Sequence, residues 1–149
     1  MKLNPDCVRD VMLELEENLQ IEKQNNRIYR FQALAVCDLA ASMEKKLGCR
    51  SEDVVYSALQ LWGGGYIATN GSLPVCGDFN VVEMGEIVYI TPKGHEFIAT
   101  IHSEKTWKGK IAPVLEKIGC VSLSIIESVS KGVANSVIEK IIAPTIQGT

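Results

Sequence analysis

The sequence lacks the marks of several large classes of protein. It holds no window of ~18 uncharged apolar residues, the length of a membrane span. Its opening residues, Met1 to Asp6, lack the apolar run of a secretory leader, so a cytoplasmic protein with no membrane partner is expected. No C-x-x-C occurs, and the five cysteines (Cys7, Cys37, Cys49, Cys76 and Cys120) are odd in number. Neither a disulfide framework nor a zinc ribbon is indicated; buried free thiols in a reducing cytosol are expected. Histidines number two, His95 and His102. Seven residues apart, they would share a helix face, and no fixed spacing joins them to a cysteine, so no metal is expected. There is no Ser/His/Asp order, no paired-carboxylate motif and no phosphate loop. The run Gly63-Gly64-Gly65 lacks the strand before it, the helix after it and the lysine of such a loop. No catalytic residue and no cofactor follow from the sequence, and an enzyme is not expected. Internal repeats and low-complexity segments are missing too.

What is present suits one folded domain. The chain has 149 residues, 46% hydrophobic and 22% charged, close to the globular average and long enough to bury a core without metals or disulfides. The net charge is −3. Residues 1–30 hold 5 Lys/Arg and 6 Asp/Glu (−1), residues 31–102 hold 4 and 8 (−4), and residues 103–149 hold 6 and 4 (+2). A protein that lives on phosphate backbone carries a basic stripe; here the middle is acidic and the tail mildly basic.

Helical periodicity begins at once. Asn4 is a capping residue and Pro5 suits the first helical position; Val8, Val11, Met12, Leu15 and Leu19 then predict a helix over 5–19. Residues 20–27 read as a loop and Ile28 to Phe31 as a short strand. Ala35, Leu39, Met43 and Leu47 predict a second helix over 34–47, closed by Gly48. Ser51 opens a third in a near capping box, with Val54, Val55, Ala58, Leu59 and Trp62 as its apolar stripe. Strands are expected at 66–69, 79–82 and 86–90, with a turn at 70–74 between the first two. Thr91 and Pro92 start a helix that buries Phe97, Ile98 and Ile101. Residues 103–120 continue helically, interrupted at Gly109 and Pro113. A long helix over about 121–142, stopped by Pro144, carries the stripe Leu123, Ile126, Val129, Val133, Val137 and Ile141.

That order predicts an α+β fold, a winged helix: a helix-turn-helix plus a β-hairpin wing. The domain is expected over 1–102, with a C-terminal helical extension over 103–149. Lys2 to Val11, Ser51 to Tyr56, and Thr91 to Ile98 with Trp107 after them resemble an uncharacterised family of short phage and bacterial, prophage-associated proteins of unknown function. The resemblance covers most of residues 1–130. It implies a winged-helix-like fold and a link to mobile elements, and brings no activity or site residues. Residues 70–85 and the glycines 63–65 depart from it.

Two functions compete. In a winged helix, residues 51–62 would lie in a major groove, with Tyr56, Ser57 and Gln60 toward the bases and Lys45, Lys46 and Arg50 toward phosphate. This predicts a DNA-binding transcriptional regulator of a phage or mobile element, acting on double-stranded DNA. Yet Glu52 and Asp53 oppose phosphate, and the helix offers no arginine to guanine. The alternative is a phage-encoded protein that binds and inhibits a host defence protein through an acidic surface. The terminal stripe must be buried, so a homodimer through it is expected, set against packing on Val8, Val11, Met12 and Leu15 of the first helix.

Overall fold

Local chemistry starts the first helix. The Asn4 side chain accepts from Cys7 N at 3.2 Å, Pro5 fills the first turn, and α1 runs Pro5–Asn18 with Cys7, Val8, Val11, Met12 and Leu15 buried. The structure, a computed structural model, describes residues 1–70 and 85–147, with side chains described to Lys140. The turn expected at 71–74, the strand at 79–82 and Cys76 lie outside the described residues.

The segment after α1 corrects the expected loop. Gln20–Lys23 (β1) pairs antiparallel with Tyr29–Gln32 (β2), Ile21 opposite Phe31 and Lys23 opposite Tyr29. The turn needs no glycine, because Asn25 Oδ1 accepts from Arg27 N and Ile28 N at 2.9 and 3.0 Å, an Asx turn. Leu34 and Ala35, expected as helix, form β3 instead, so α2 is shorter, Val36–Leu47. Gly48 ends it at φ +67°, as its left-handed freedom allows. Helix α3 spans Ser51–Gly63, and Arg50, not Ser51, is its cap position. The Ser51 hydroxyl bonds Glu44 Oε2 at 2.6 Å rather than closing a capping box.

Strands β4 (Ile67–Thr69) and β5 (Glu86–Ile90) follow. They join β3 in an antiparallel sheet of order β3-β5-β4, with Leu34 opposite Ile87 and Ile67 opposite Ile90. Helix α4 spans Pro92–Ile101; Thr91 Oγ1 accepts from Gly94 N at 3.1 Å, and Phe97, Ile98 and Ile101 are buried as expected. The molecule is thus mixed α+β, with two small antiparallel sheets.

Beyond residue 102 come a short α5 (Glu104–Thr106), a π-helical turn (Trp107–Ile111) and α6 (Ala112–Ile118). Gly109 lies in the wide turn, and Pro113, which has no N–H to donate, falls in the first turn of α6. Trp107 Nε1 ties this region to α1 by donating to Asp6 Oδ1 at 2.7 Å, and Arg9 Nε of α1 donates to Ile101 O at the end of α4 at 2.8 Å. The last helix, α7, spans Leu123–Gln147 and passes Pro144 rather than stopping there. One cluster of buried side chains runs from Cys7 to Ile126 and crosses residue 102.

Candidate functional site

The expected contact residues gather where α2 turns into α3. Lys45 is exposed at the end of α2. Lys46 is exposed as well, but its Nζ lies 3.1 Å from Glu14 Oε1, so α1 holds its charge. Arg50 Nε approaches Glu52 Oε2 at 3.8 Å, with both side chains about three-quarters exposed; such a pair adds little stability, yet it sets a carboxylate beside the cation. Gln60 is exposed and Tyr56 half-buried.

Ser57 corrects the expectation: it is 0% exposed. It follows Val54 by three residues and precedes Leu61 by four, so it falls on the stripe that Val54, Ala58 and Leu61 bury. Its hydroxyl lies near the Cys7 thiol and has no hydrogen-bond partner among the described residues. It cannot reach a ligand outside.

The same helix face corrects a second expectation. Of the expected stripe, Val54 and Ala58 are buried and the half-buried Val55 and Trp62 pack against the same core, joined by buried Leu61, so that Leu59 is the stripe residue left outside that core. Leu59 forms the outward side of α3 with Glu52, Tyr56 and Gln60, and residues 51–63 include no Lys or Arg. Against this face lie the first residues of the chain. Met1 and Lys2 wall a groove of about 680 Å³ whose other sides are Arg50, Ser51, Glu52, Asp53, Val55, Tyr56 and Leu59. On the far side of Tyr56 a cleft of about 490 Å³ runs between Leu3, Asp6, Gln60 and Leu115. The half-buried Leu59 is the site residue that sequence reasoning missed, because it was counted with the core stripe.

The terminal stripe is divided. Leu123 and Ile126 are buried in the chain's own core, and Val129 and Val133 pack against it. Val137 is half-buried, and the Ile141 side chain lies outside the described residues. The helix packs chiefly on α4, the Trp107–Ile111 turn and α6, and Leu123 and Ile126 join the core cluster that also holds Val8, Val11, Met12 and Leu15 of α1. Tyr66 pins the helix: its hydroxyl donates to Glu127 Oε2 at 2.5 Å, and Lys131 Nζ lies 2.8 Å from Glu127 Oε1. Lys131, and secondly the Tyr66 hydroxyl, hold the Glu127 carboxyl below its ordinary value. Leu123 and Ile126 are therefore not available to a partner chain.

His95 and His102 are both exposed. Among the described residues no group of three or more His, Cys, Asp or Glu side chains is placed to hold a metal ion, and no helix is long and apolar enough to cross a membrane. A family model described as "Hypothetical protein (DUF2513)" matches residues 2–120, from the start of the chain to the end of α6. No curated protein and no solved structure matches the chain.

Proposed function

Since the chain belongs to this uncharacterised family, we propose a function from its surfaces: a non-enzymatic winged-helix protein of a phage or mobile element that docks on a host protein through the outward face of α3. The winged-helix reading is supported by the succession α1, β3, α2, α3, β4, β5, α4 and by the sheet order β3-β5-β4. The β1–β2 hairpin is then an insertion between the first helix and the first strand. The link to mobile elements rests on the resemblance of Lys2 to Val11 and Thr91 to Ile98.

One observation carries the docking reading. The helix that would enter a DNA groove presents Tyr56, Leu59 and Gln60 beside Glu52 and Asp53, without a cation of its own. Base readout and phosphate contact both favour Arg and Lys, whereas a half-exposed Tyr is an anchor type of protein interfaces. The acidic rim suits a basic partner.

DNA binding is the second reading. Its support is the exposed pair Lys45 and Arg50 beside Tyr56 and Gln60. One experiment separates the two: affinity capture from host lysate with the full chain and with Leu59→Lys, each before and after nuclease treatment. A protein that survives nuclease and is lost by at least about tenfold (1.4 kcal/mol) with Leu59→Lys is the expected result. Capture of nucleic acid alone, with a gel shift on double-stranded DNA that Arg50→Ala and Lys45→Ala weaken, overturns it in favour of a DNA-binding regulator.

A further inference from the structure

The β1–β2 hairpin stands apart from the larger sheet, and every residue of both strands is exposed. A two-stranded hairpin is at best marginally stable unless a face is covered. Alternation puts Ile21, Lys23, Tyr29 and Phe31 on one face and Gln20, Glu22, Arg30 and Gln32 on the other. The second face is polar throughout, and Gln32 Nε2 donates to Glu22 Oε2 at 3.1 Å across it. The first is apolar and continues past the hairpin: the Phe31 ring stacks on Tyr89 of β5 with centroids 5.6 Å apart. Between hairpin and body a groove of about 370 Å³ opens, walled by Leu15, Leu19, Ile21, Phe31 and Val88. Ile21 and Tyr29 each keep 62% of their surface exposed, Phe31 43% and Tyr89 46%. A contiguous patch of this kind marks an interaction surface.

Charge narrows the occupant. Residues 20–32 hold Lys23, Arg27 and Arg30 against Glu22 alone, a local +2 in a chain of net −3. None of these three cations takes part in an ion pair among the described residues. We propose that this face is a docking site for an acidic amphipathic segment of a partner protein, apolar side chains in the groove and carboxylates over Lys23 and Arg27. A single-stranded nucleic acid would also use aromatic rings and cations, but the groove walls are largely aliphatic and offer bases little to stack on. The site is separate from the α3 face and does not rest on it.

The test is selection of displayed random peptides of about 15 residues on the full chain, followed by polarisation titration of the labelled winners. The variants are Ile21→Ser with Tyr29→Ser, Lys23→Glu with Arg27→Glu, and Leu59→Lys. Winners with at least two large apolar residues and net negative charge are expected. Their affinity should fall about tenfold or more with either hairpin variant, weaken as salt rises, and stay unchanged with Leu59→Lys. The charge-reversal pair leaves the aromatic face in place, so loss of the hairpin's structure in the first variant does not decide the result. Selection that enriches nothing, winners without acidic bias, or winners that depend on Leu59 and not on the hairpin overturn the proposal. So does an oligo-deoxythymidine strand that binds the hairpin face more tightly than any winner.

Discussion

Cys7 lies on the inner side of α1, 1% exposed, next to Ser57 and Cys49. Burial pushes its thiol up from 9.0 to about 12, because the low-dielectric interior disfavours a thiolate. The folded value lies above the unfolded one, so the neutral thiol's contribution is complete below pH 9 and is lost as pH rises from about 9 toward 12. Thermal unfolding should therefore shift to lower temperature between these values, and Cys7→Ala should flatten that slope; an unchanged slope would assign the titration to other groups, of which Tyr66 and Cys49 are also raised by burial. A thiol reagent should label exposed Cys37 and Cys120 at once and Cys7 only on unfolding. Glu127 runs the opposite way. Its value is lowered from 4.5, so its contribution is present above pH 4.5 and is lost as pH falls through the folded value. Tyr66→Phe removes one of its two hydrogen bonds and should cost about 1–2 kcal/mol in urea unfolding near neutral pH, with less of that cost remaining in acid.

Among the elements, the closest approach is α4 over the start of β4. A Cβ built on Gly94 would collide with the backbone oxygen of Tyr66 and with Ile90. Backbone cannot swing aside as a long side chain can, so Gly94→Ala should cost roughly 2 kcal/mol or more. Gly48→Ala meets open space at φ +67° and should cost only about 1 kcal/mol of left-handed strain; urea unfolding of both variants checks the order. Helices α1 and α4 were legible in the sequence because Asn4-Pro5 and Thr91-Pro92 announce their starts and one apolar stripe follows each. Of the hairpin only the second strand was, expected at 28–31 and found at Tyr29–Gln32; the first strand mixes charged and apolar residues too briefly for a period to stand out. Its signal was pairwise: Ile21 matches Phe31, and Asn25 supplies the turn without glycine. The α3 surface was half legible. Tyr56 and Gln60 face outward as expected, but Ser57 turns inward, and Leu59 stays outside the core that Val55 and Trp62 pack against. Polarity alone could not decide this, since the helix carries apolar residues on both sides and tertiary packing chooses which side is covered.

At the scale of the whole molecule, the last helix is the longest element among the described residues. Its 25 residues extend about 37 Å at 1.5 Å each, and the family match ends before it begins. Only the first part is anchored, by Leu123, Ile126 and the Tyr66–Glu127 bond. Farther on, Val137 is half-buried and Ile138 51% exposed. An apolar helix segment without cover is unstable in water, and a second copy would cover it with the same surface from both sides. The groove of about 460 Å³ lined by Val114, Ser128, Val129, Gly132, Val133 and Ser136, and also by Lys110 and Lys140, gives a helix room to approach along its small residues. A mass of two chains by light scattering at about tens of micromolar is the expected result; a single-chain mass refutes the dimer. The division of the stripe gives the prediction its control. Val137→Asp with Ile138→Asp should yield folded monomers with the melting temperature of the body retained, whereas Ile126→Asp buries a charge in the shared core and should unfold the chain, at a cost of several kcal/mol. If Val137→Asp with Ile138→Asp leaves the mass at two chains, the interface lies elsewhere, and the hairpin and α3 faces become the surfaces to vary next.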